Sequence, residues 1–291
     1  MMPGPAPGYA RPVTDRLEVH KTYKLFIGGA FPRSESGRTY AVRAADGRHL
    51  AHAPLASRKD LRDAVVAARA AHGGWAGRTA YNRAQILYRV AEMLEGRGGQ
   101  LAAELADAGT ADPTAEVAAA VDRWVWYAGW ADKIGQVAGA VNPVAGPYFN
   151  LSVPEPVGVV GVVAPDAPAL LGLVSRVAPA IVTGNAVVVL AAEPAPLAAL
   201  TLAEVLATSD LPGGVVNVLS GRRAELVPWL AGHADVDAVD LAGVDDHDLR
   251  VTAERAAADS VTRVIGRDVE ESPQLVLDCC EIKTIWHPKG R

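Results

Sequence analysis

The sequence lacks the means to build a disulfide framework. It contains two cysteines, Cys279 and Cys280, and they are neighbours. Adjacent cysteines rarely pair, so a reducing, cytoplasmic compartment is expected. Long hydrophobic runs are also missing. Half of the 291 residues are hydrophobic, yet proline, glycine or charge interrupts every apolar stretch before it reaches bilayer-spanning length. Met1–Pro12 has neither the charged start nor the apolar core of a secretory signal. Its prolines and glycines predict a disordered tail over residues 1–22. Surplus positive charge is absent too: the net charge is −5 and the pI is near 5.8, which argues against a nucleic-acid surface. The seven histidines show no metal-ligand spacing, so no metal site is predicted; His52, His72 and His233 read as surface or cap residues. Neither a Gly-Lys-Ser phosphate loop nor an internal repeat occurs.

What the sequence does contain is concentrated between Pro156 and Gly243. Val157–Val163 and Ala186–Leu190 are apolar throughout, and Val215–Leu219 and Val236–Leu241 are mostly so, as strands buried on both faces should be. Ala169–Thr183, Leu197–Ser209 and Arg223–His233 separate them, each long enough for a crossover helix. Asp246–Asp259 predicts a further helix and Arg263–Ile265 a fifth strand. The pattern implies an α/β fold: a Rossmann-like parallel five-stranded sheet with flanking helices over residues 156–266.

Residues 23–140 predict a strand and helical part packed with that sheet. Tyr23–Ile27 reads as a strand closed by Gly28-Gly29, and Thr39–Val42 as a second one before the Asp46-Gly47 turn. Ser57 and Asp60 resemble a capping arrangement opening a helix through His72. Thr79–Glu95 has amphipathic helical spacing, and Gly98–Ala108 is a further helical segment. Asp112-Pro113 marks the start of a helix running to about Gly135. Trp124, Trp126 and Trp130 lie along it without a basic cluster interleaved among them, so they are assigned to helix packing rather than to base stacking. Residues 141–155, with two prolines and a glycine among the alternating apolar residues of Val141–Val153, read as an extended arm or hairpin. Residues 275–291 read as a terminal strand, with Ile282, Thr284 and Trp286 on one face and Glu281, Lys283 and Ile285 on the other.

These segments together resemble the aldehyde dehydrogenase superfamily. The resemblance rests on Tyr127–Lys133, Gly146–Asn150, Glu155–Gly161, Ala178-Pro179-Ala180 with Gly184-Asn185, Leu211–Gly221, the run His233–Asp237, and the closing Glu281–Trp286. It implies a cofactor-type domain and two oligomerisation elements: the arm, with Tyr148 and Phe149, and the closing strand, with Ile282, Thr284 and Trp286. It also shows a gap. Family members place a catalytic domain, with its nucleophilic cysteine, between the fifth strand and the closing strand. Here only Gly266–Gln274 separates them, of which 267–274 form a short linker. No catalytic residue is therefore assigned. Cys279 and Cys280 lie between Asp278 and Glu281, where carboxylates disfavour the thiolate. The family's Pro-Trp-Asn reads Pro165-Asp166-Ala167, without the side-chain donor that steadies an oxyanion.

The resemblance implies vestigial cofactor-binding positions at Glu193, Gly221 and Gly243. The lysine of the family's ribose-holding turn is Leu190, and a close-approach glycine is Arg223. Asp245 and Asp246 stand where a helix start would face a pyrophosphate, which they would repel. No NAD(P) is expected to bind, or only weakly. The leading expectation is a non-catalytic, pseudoenzyme-like subunit that assembles with itself or with an active full-length aldehyde dehydrogenase. Two alternatives stay open. One is an NAD(P)-dependent oxidoreductase acting on aldehydes with catalytic groups supplied by a partner. The other is a small-molecule binding module using Asp166, Arg223, Asp245 and Asp246 at the crevice beyond the strand ends, unless these are only solvated loop charges.

Overall fold

Two short strands, β1 (Thr39–Arg43) and β2 (His49–Pro54), pair antiparallel across the Asp46-Gly47 turn. The computed structural model describes residues 19–266 and 271–290. The expected tail therefore lies outside the described residues as far as residue 18, and so does 267–270 of the linker. Within the described part of the tail, Lys21 Nζ donates to Thr201 Oγ1 at 2.8 Å and pairs with Glu204 at 3.0 Å. The strand expected at Tyr23–Ile27 is reduced to isolated bridges, Phe26 to Val218 and Ile27 to Ala30. Gly28 and Gly29, at φ +62° and +83°, turn the chain back before a ladder can extend.

Helix α1 (Arg58–Ala76) starts on a complete capping box. Ser57 Oγ accepts from Asp60 N, and the Asp60 carboxylate accepts from Ser57 N at 2.8 Å. Ser57→Ala is expected to cost about 1 kcal/mol and lower Tm by roughly 2–4 °C, read by thermal unfolding. Then follow α2 (Ala80–Gly96), α3 (Gly98–Asp107) and α4 (Pro113–Ala128), the last capped by Asp112 and opened by Pro113. Helix α4 ends at Ala128 rather than near Gly135, because Gly129, a poor helix former, takes the C-cap; the separate short α5 (Ile134–Ala138) follows. Trp124 is fully buried, while Trp126 packs edge-on against Tyr127 and tilts against Trp130. This aromatic stripe serves packing.

The arm is a hairpin of β3 (Ala140–Asn142) and β4 (Tyr148–Pro156). The parallel sheet comes next: β5 (Val159–Val163), α6 (Ala169–Val182), β6 (Ala186–Leu190), α7 (Leu197–Ala207), β7 (Val216–Leu219), α8 (Arg223–Ala231), β8 (Ala238–Asp240), α9 (His247–Ser260) and β9 (Arg263–Ile265). Its order is β7-β6-β5-β8-β9, with every pair parallel. Strands β5 to β8 are buried at every position, which is why β5 and β6 are apolar without alternation; Asn217 in β7 and Asp240 in β8 are the polar exceptions, each hydrogen-bonded to backbone. One face packs with Trp75, Leu87, Leu173 and Ile181; the other packs with Leu61, Val65, Leu226 and Leu230.

After β9 the chain enters α10 (Pro273–Asp278) and then β10 (Cys280–Pro288), which pairs antiparallel with β4 over its whole length. The closing strand thus begins at Cys280, not at residue 275. Ser272 and Pro273 supply a helix start, and Leu275 and Val276 bury the helix's apolar side. This junction is tied into the core. Asn185, fully buried, accepts from Gly158 N at 2.8 Å and donates to the carbonyl of Cys279 at 2.9 Å, as well as to Ala180 O and Thr183 Oγ1. Arg263 Nη1 donates to the carbonyls of Asp278 and Cys280, and Arg123 pairs with Glu271 at 3.0 Å.

Candidate functional site: the strand-end crevice and the closing sheet

The parallel strands reverse order between β5 and β8, and the loops leaving their carboxyl ends diverge there. In sheets of this kind that divergence opens a crevice. Here it forms a cavity of about 600 Å³ between the Pro165–Pro168 turn, the first half of α6 and the loop into α9. Arg176, Asp245 and Arg250 are among the groups lining it.

The three positions singled out for a cofactor are engaged by the chain itself. Both Glu193 carboxylate oxygens are taken, one by Arg222 Nη1 at 2.5 Å and the other by Arg223 N at 2.9 Å. The Tyr40 ring lies against the Arg222 guanidinium, and its hydroxyl donates to the Glu193 carbonyl. At Gly221 a Cβ would come within 2.9 Å of Leu226 Cδ1, so internal packing already asks for glycine there. At Gly243 a Cβ would sit 2.2 Å from the Ala164 carbonyl oxygen, because the loop after β8 closes directly on the end of β5. The Gly243 N–H donates to Val163 O at 3.1 Å.

The four loop charges separate into different roles. Asp166 and Asp245 line the cavity. Arg223 pairs with Asp166 at 2.7 Å and also donates to the Ala164 carbonyl. Asp246 is the N-cap of α9, its carboxylate accepting from Leu249 N at 2.8 Å, with Asp248 in the first turn. The N-terminus of α6 is filled as well: Glu116 Oε1 accepts from Leu170 N and Leu171 N at 2.8 and 3.2 Å. Both thiols are buried and free; burial pushes Cys280 up to about 11 and Cys279 well above the usual thiol range. Among the described residues no group of three or more His, Cys, Asp or Glu is arranged to hold a metal ion. No described helix is long and apolar enough to cross a membrane.

The closing sheet has the order β10-β4-β3. Its register places Ile282, Thr284 and Trp286 on one face with Tyr148, whose ring meets the Trp286 indole edge-on at 5.9 Å. Ser152 and Thr284 share a hydrogen bond on that face, extended by Asn142 to Ser152 and Asn150. Phe149 lies on the opposite face with Ile285 and Leu151. Tyr148, Phe149, Ile282, Ile285 and Trp286 are all exposed, Ile282 to 54% and Trp286 to 59%.

Sequence reasoning missed Arg176 and Arg250 at the cavity and Arg222 at Glu193. A usable signal existed for the last: the Arg222-Arg223 doublet follows Gly221 at the end of a predicted strand, next to the end that carries Glu193. No comparable pattern marks Arg176, which sits inside an apolar helix.

Comparison with known proteins agrees with this architecture. The aldehyde dehydrogenase family profile matches residues 31–285. Mouse cytosolic 10-formyltetrahydrofolate dehydrogenase is 32% identical over 94% of this chain, which spans 31% of that protein. The mitochondrial aldehyde dehydrogenase family 2 member B4 of Arabidopsis thaliana is 36% identical over 80% of the chain, which spans 44% of it. The NAD+ complex of a Bacillus cereus aldehyde dehydrogenase superposes with a TM-score of 0.77 at 30% identity, covering 84% of this chain and 50% of that one. The chain therefore spans about half or less of these relatives. With the family profile matched over most of its length and the fold superposing on solved members, the chain belongs to the aldehyde dehydrogenase family.

Proposed function

We propose that this chain is a non-catalytic aldehyde dehydrogenase subunit, acting in the cytoplasm, that assembles with itself or with an active full-length aldehyde dehydrogenase. The observation that carries the reading is the closing sheet. It is complete, tied into the core by Asn185 and Arg263, and covered with exposed aromatic and aliphatic side chains on both faces. Residues 266–274 leave no room for a domain carrying a nucleophile and a base, so assembly is what the retained parts can still do. The two buried thiols fit a reducing compartment and offer no nucleophile. A subunit without its own catalytic domain has one side fewer to offer a like copy, which favours a heteromer with a complete enzyme. Tagged chain isolated from its natural source is expected to carry a full-length aldehyde dehydrogenase with it. Recovery solely as a monomer would reject assembly.

The same reading holds that dinucleotide binding has been lost. The carboxylate that would hold a ribose is paired with Arg222, and the helix start that would face a pyrophosphate carries Asp246 and Asp248. A dinucleotide would have to break the first contact and tolerate the second. Thermal unfolding at millimolar NAD or NADP is expected to show no shift in Tm. A saturable rise would instead support the oxidoreductase reading, with catalytic groups supplied by a partner.

A further inference from the structure

We propose that the free flank of β10 pairs antiparallel with β10 of a second copy of this chain, about a two-fold axis at Thr284. The proposal rests on the chain's being an assembling subunit, and it names the partner its closing sheet takes when no other chain covers that flank. Which backbone groups face the flank follows from the ladder with β4. Val157 N donates to Cys279 O at 3.2 Å and Lys289 N donates to Pro147 O at 2.7 Å, one bond just beyond each end of β10. Cys279 and Lys289 are both odd-numbered, and bonded positions recur at every second residue of an antiparallel pair. Pro154 and Pro156, which have no N–H to give, stand opposite the even-numbered Ile282 and Cys280. The N–H and C=O groups of Ile282, Thr284 and Trp286 therefore point away from β4. Among the described residues no strand borders them, and every residue from Glu281 to Pro288 is exposed.

Both ends of this open row are stopped. The Cys280 carbonyl accepts from Arg263 Nη1 at 2.6 Å, and Pro288 has no N–H. The usable stretch, Glu281–His287, has Thr284 at its centre. A two-fold axis there sets Ile282 opposite Trp286 of the second copy, Thr284 opposite its own counterpart, and Trp286 opposite the second Ile282. Each of these pairs exchanges both of its backbone hydrogen bonds. Ile282 and Trp286 share a face with Tyr148, so the pairing joins apolar side chains across the axis. On the other face Glu281 meets His287 of the second copy, and Lys283 meets Ile285.

Neighbouring registers fit worse. A two-fold axis normal to a continuous sheet keeps like faces together when it passes through a residue. With the axis at Lys283, two lysines oppose each other, and Trp286 stands opposite Cys280, whose carbonyl is taken. With the axis at Ile285, Ile282 stands opposite Pro288 and Lys283 opposite His287 of the second copy. The charges and free backbone groups of β10 thus select one pairing with itself.

The test is light scattering coupled to size exclusion on the purified full chain, joined to a cysteine scan of β10. A mass near twice the 30.3 kDa of one chain is expected at tens of micromolar, as suits a small interface. Thr284→Pro removes the central N–H of each copy and leaves the odd-numbered bonds to β4; it is expected to weaken pairing at least about tenfold. Under copper-phenanthroline oxidation Thr284→Cys is expected to cross-link to its counterpart, the two Cα atoms lying about 5.5 Å apart. Lys283→Cys and Ile285→Cys place theirs about 8 Å apart and are expected not to link. The scan reads the register even if the proline variant does not fold. A monomeric parent chain, undiminished pairing in folded Thr284→Pro, or cross-linking at Lys283→Cys or Ile285→Cys in place of Thr284→Cys would each overturn the proposal. If a monomeric chain still copurifies with a full-length aldehyde dehydrogenase, the subunit reading survives that failure; if it copurifies with nothing, both fall.

Discussion

Asn185→Ala is expected to destabilise the chain by about 3 kcal/mol, lowering Tm by roughly 6–12 °C for a protein of this size. The amide makes four contacts at zero exposure: Gly158 N before β5, Ala180 O and Thr183 Oγ1 at the end of α6, and the Cys279 carbonyl before β10. Truncation leaves the Gly158 N–H buried without that acceptor, at a cost of about 1–3 kcal/mol, and releases the start of the closing strand. Asn185→Asp keeps the acceptor but removes the donors and buries a charge, so it should be at least as damaging. Urea unfolding of both variants against Thr183→Ser, expected to be mild, gives the measurement. An Asn185→Ala protein as stable as the parent would show that the junction is held elsewhere.

The second large effect concerns assembly. Trp286 and Ile282 lie exposed on one face of the closing sheet with Tyr148. Large aromatic anchors dominate interfaces, so Trp286→Ala is expected to weaken association by about 2–4 kcal/mol, or roughly 30- to 1000-fold. Adding Ile282→Asp places a charge in the same contact and should leave the chain monomeric at micromolar concentration. Both side chains are solvent-exposed in the isolated chain, so its own Tm should change little. Light scattering coupled to size exclusion, with and without an added full-length aldehyde dehydrogenase, reads the result. Unchanged association in the double variant would remove the closing sheet from the interface.

Strands β5 and β6 were legible because burial on both faces leaves an unbroken apolar signature, whereas β9 is largely exposed and was marked by its place after a helix. Ala186–Leu190 and Arg263–Ile265 coincide with the observed strands to the residue. Elsewhere the signal was local and the outcome tertiary. Tyr23–Ile27 reads as a strand, yet the glycines after it allow only bridges. Ser272-Pro273 is a helix start that the alternation beginning at Cys280 overshadowed. At the crevice, individual residue types were readable and their partners were not. Glu193 matched a family position, but its pairing with Arg222 depends on how close the ends of β6 and β7 come. Arg176 lies within an otherwise apolar helix, and no spacing rule connects it to Asp240, 64 positions later in β8.

The nine-residue β10 uses one flank for β4, and among the described residues no strand borders the other. Its backbone therefore offers a row of amide and carbonyl groups that another chain could extend. Overproduced alone, this protein should be prone to aggregate through that flank, with Lys283 and Pro288 as the gatekeepers against it. Synthesis alongside a chain that caps the flank should raise the yield of dispersed material.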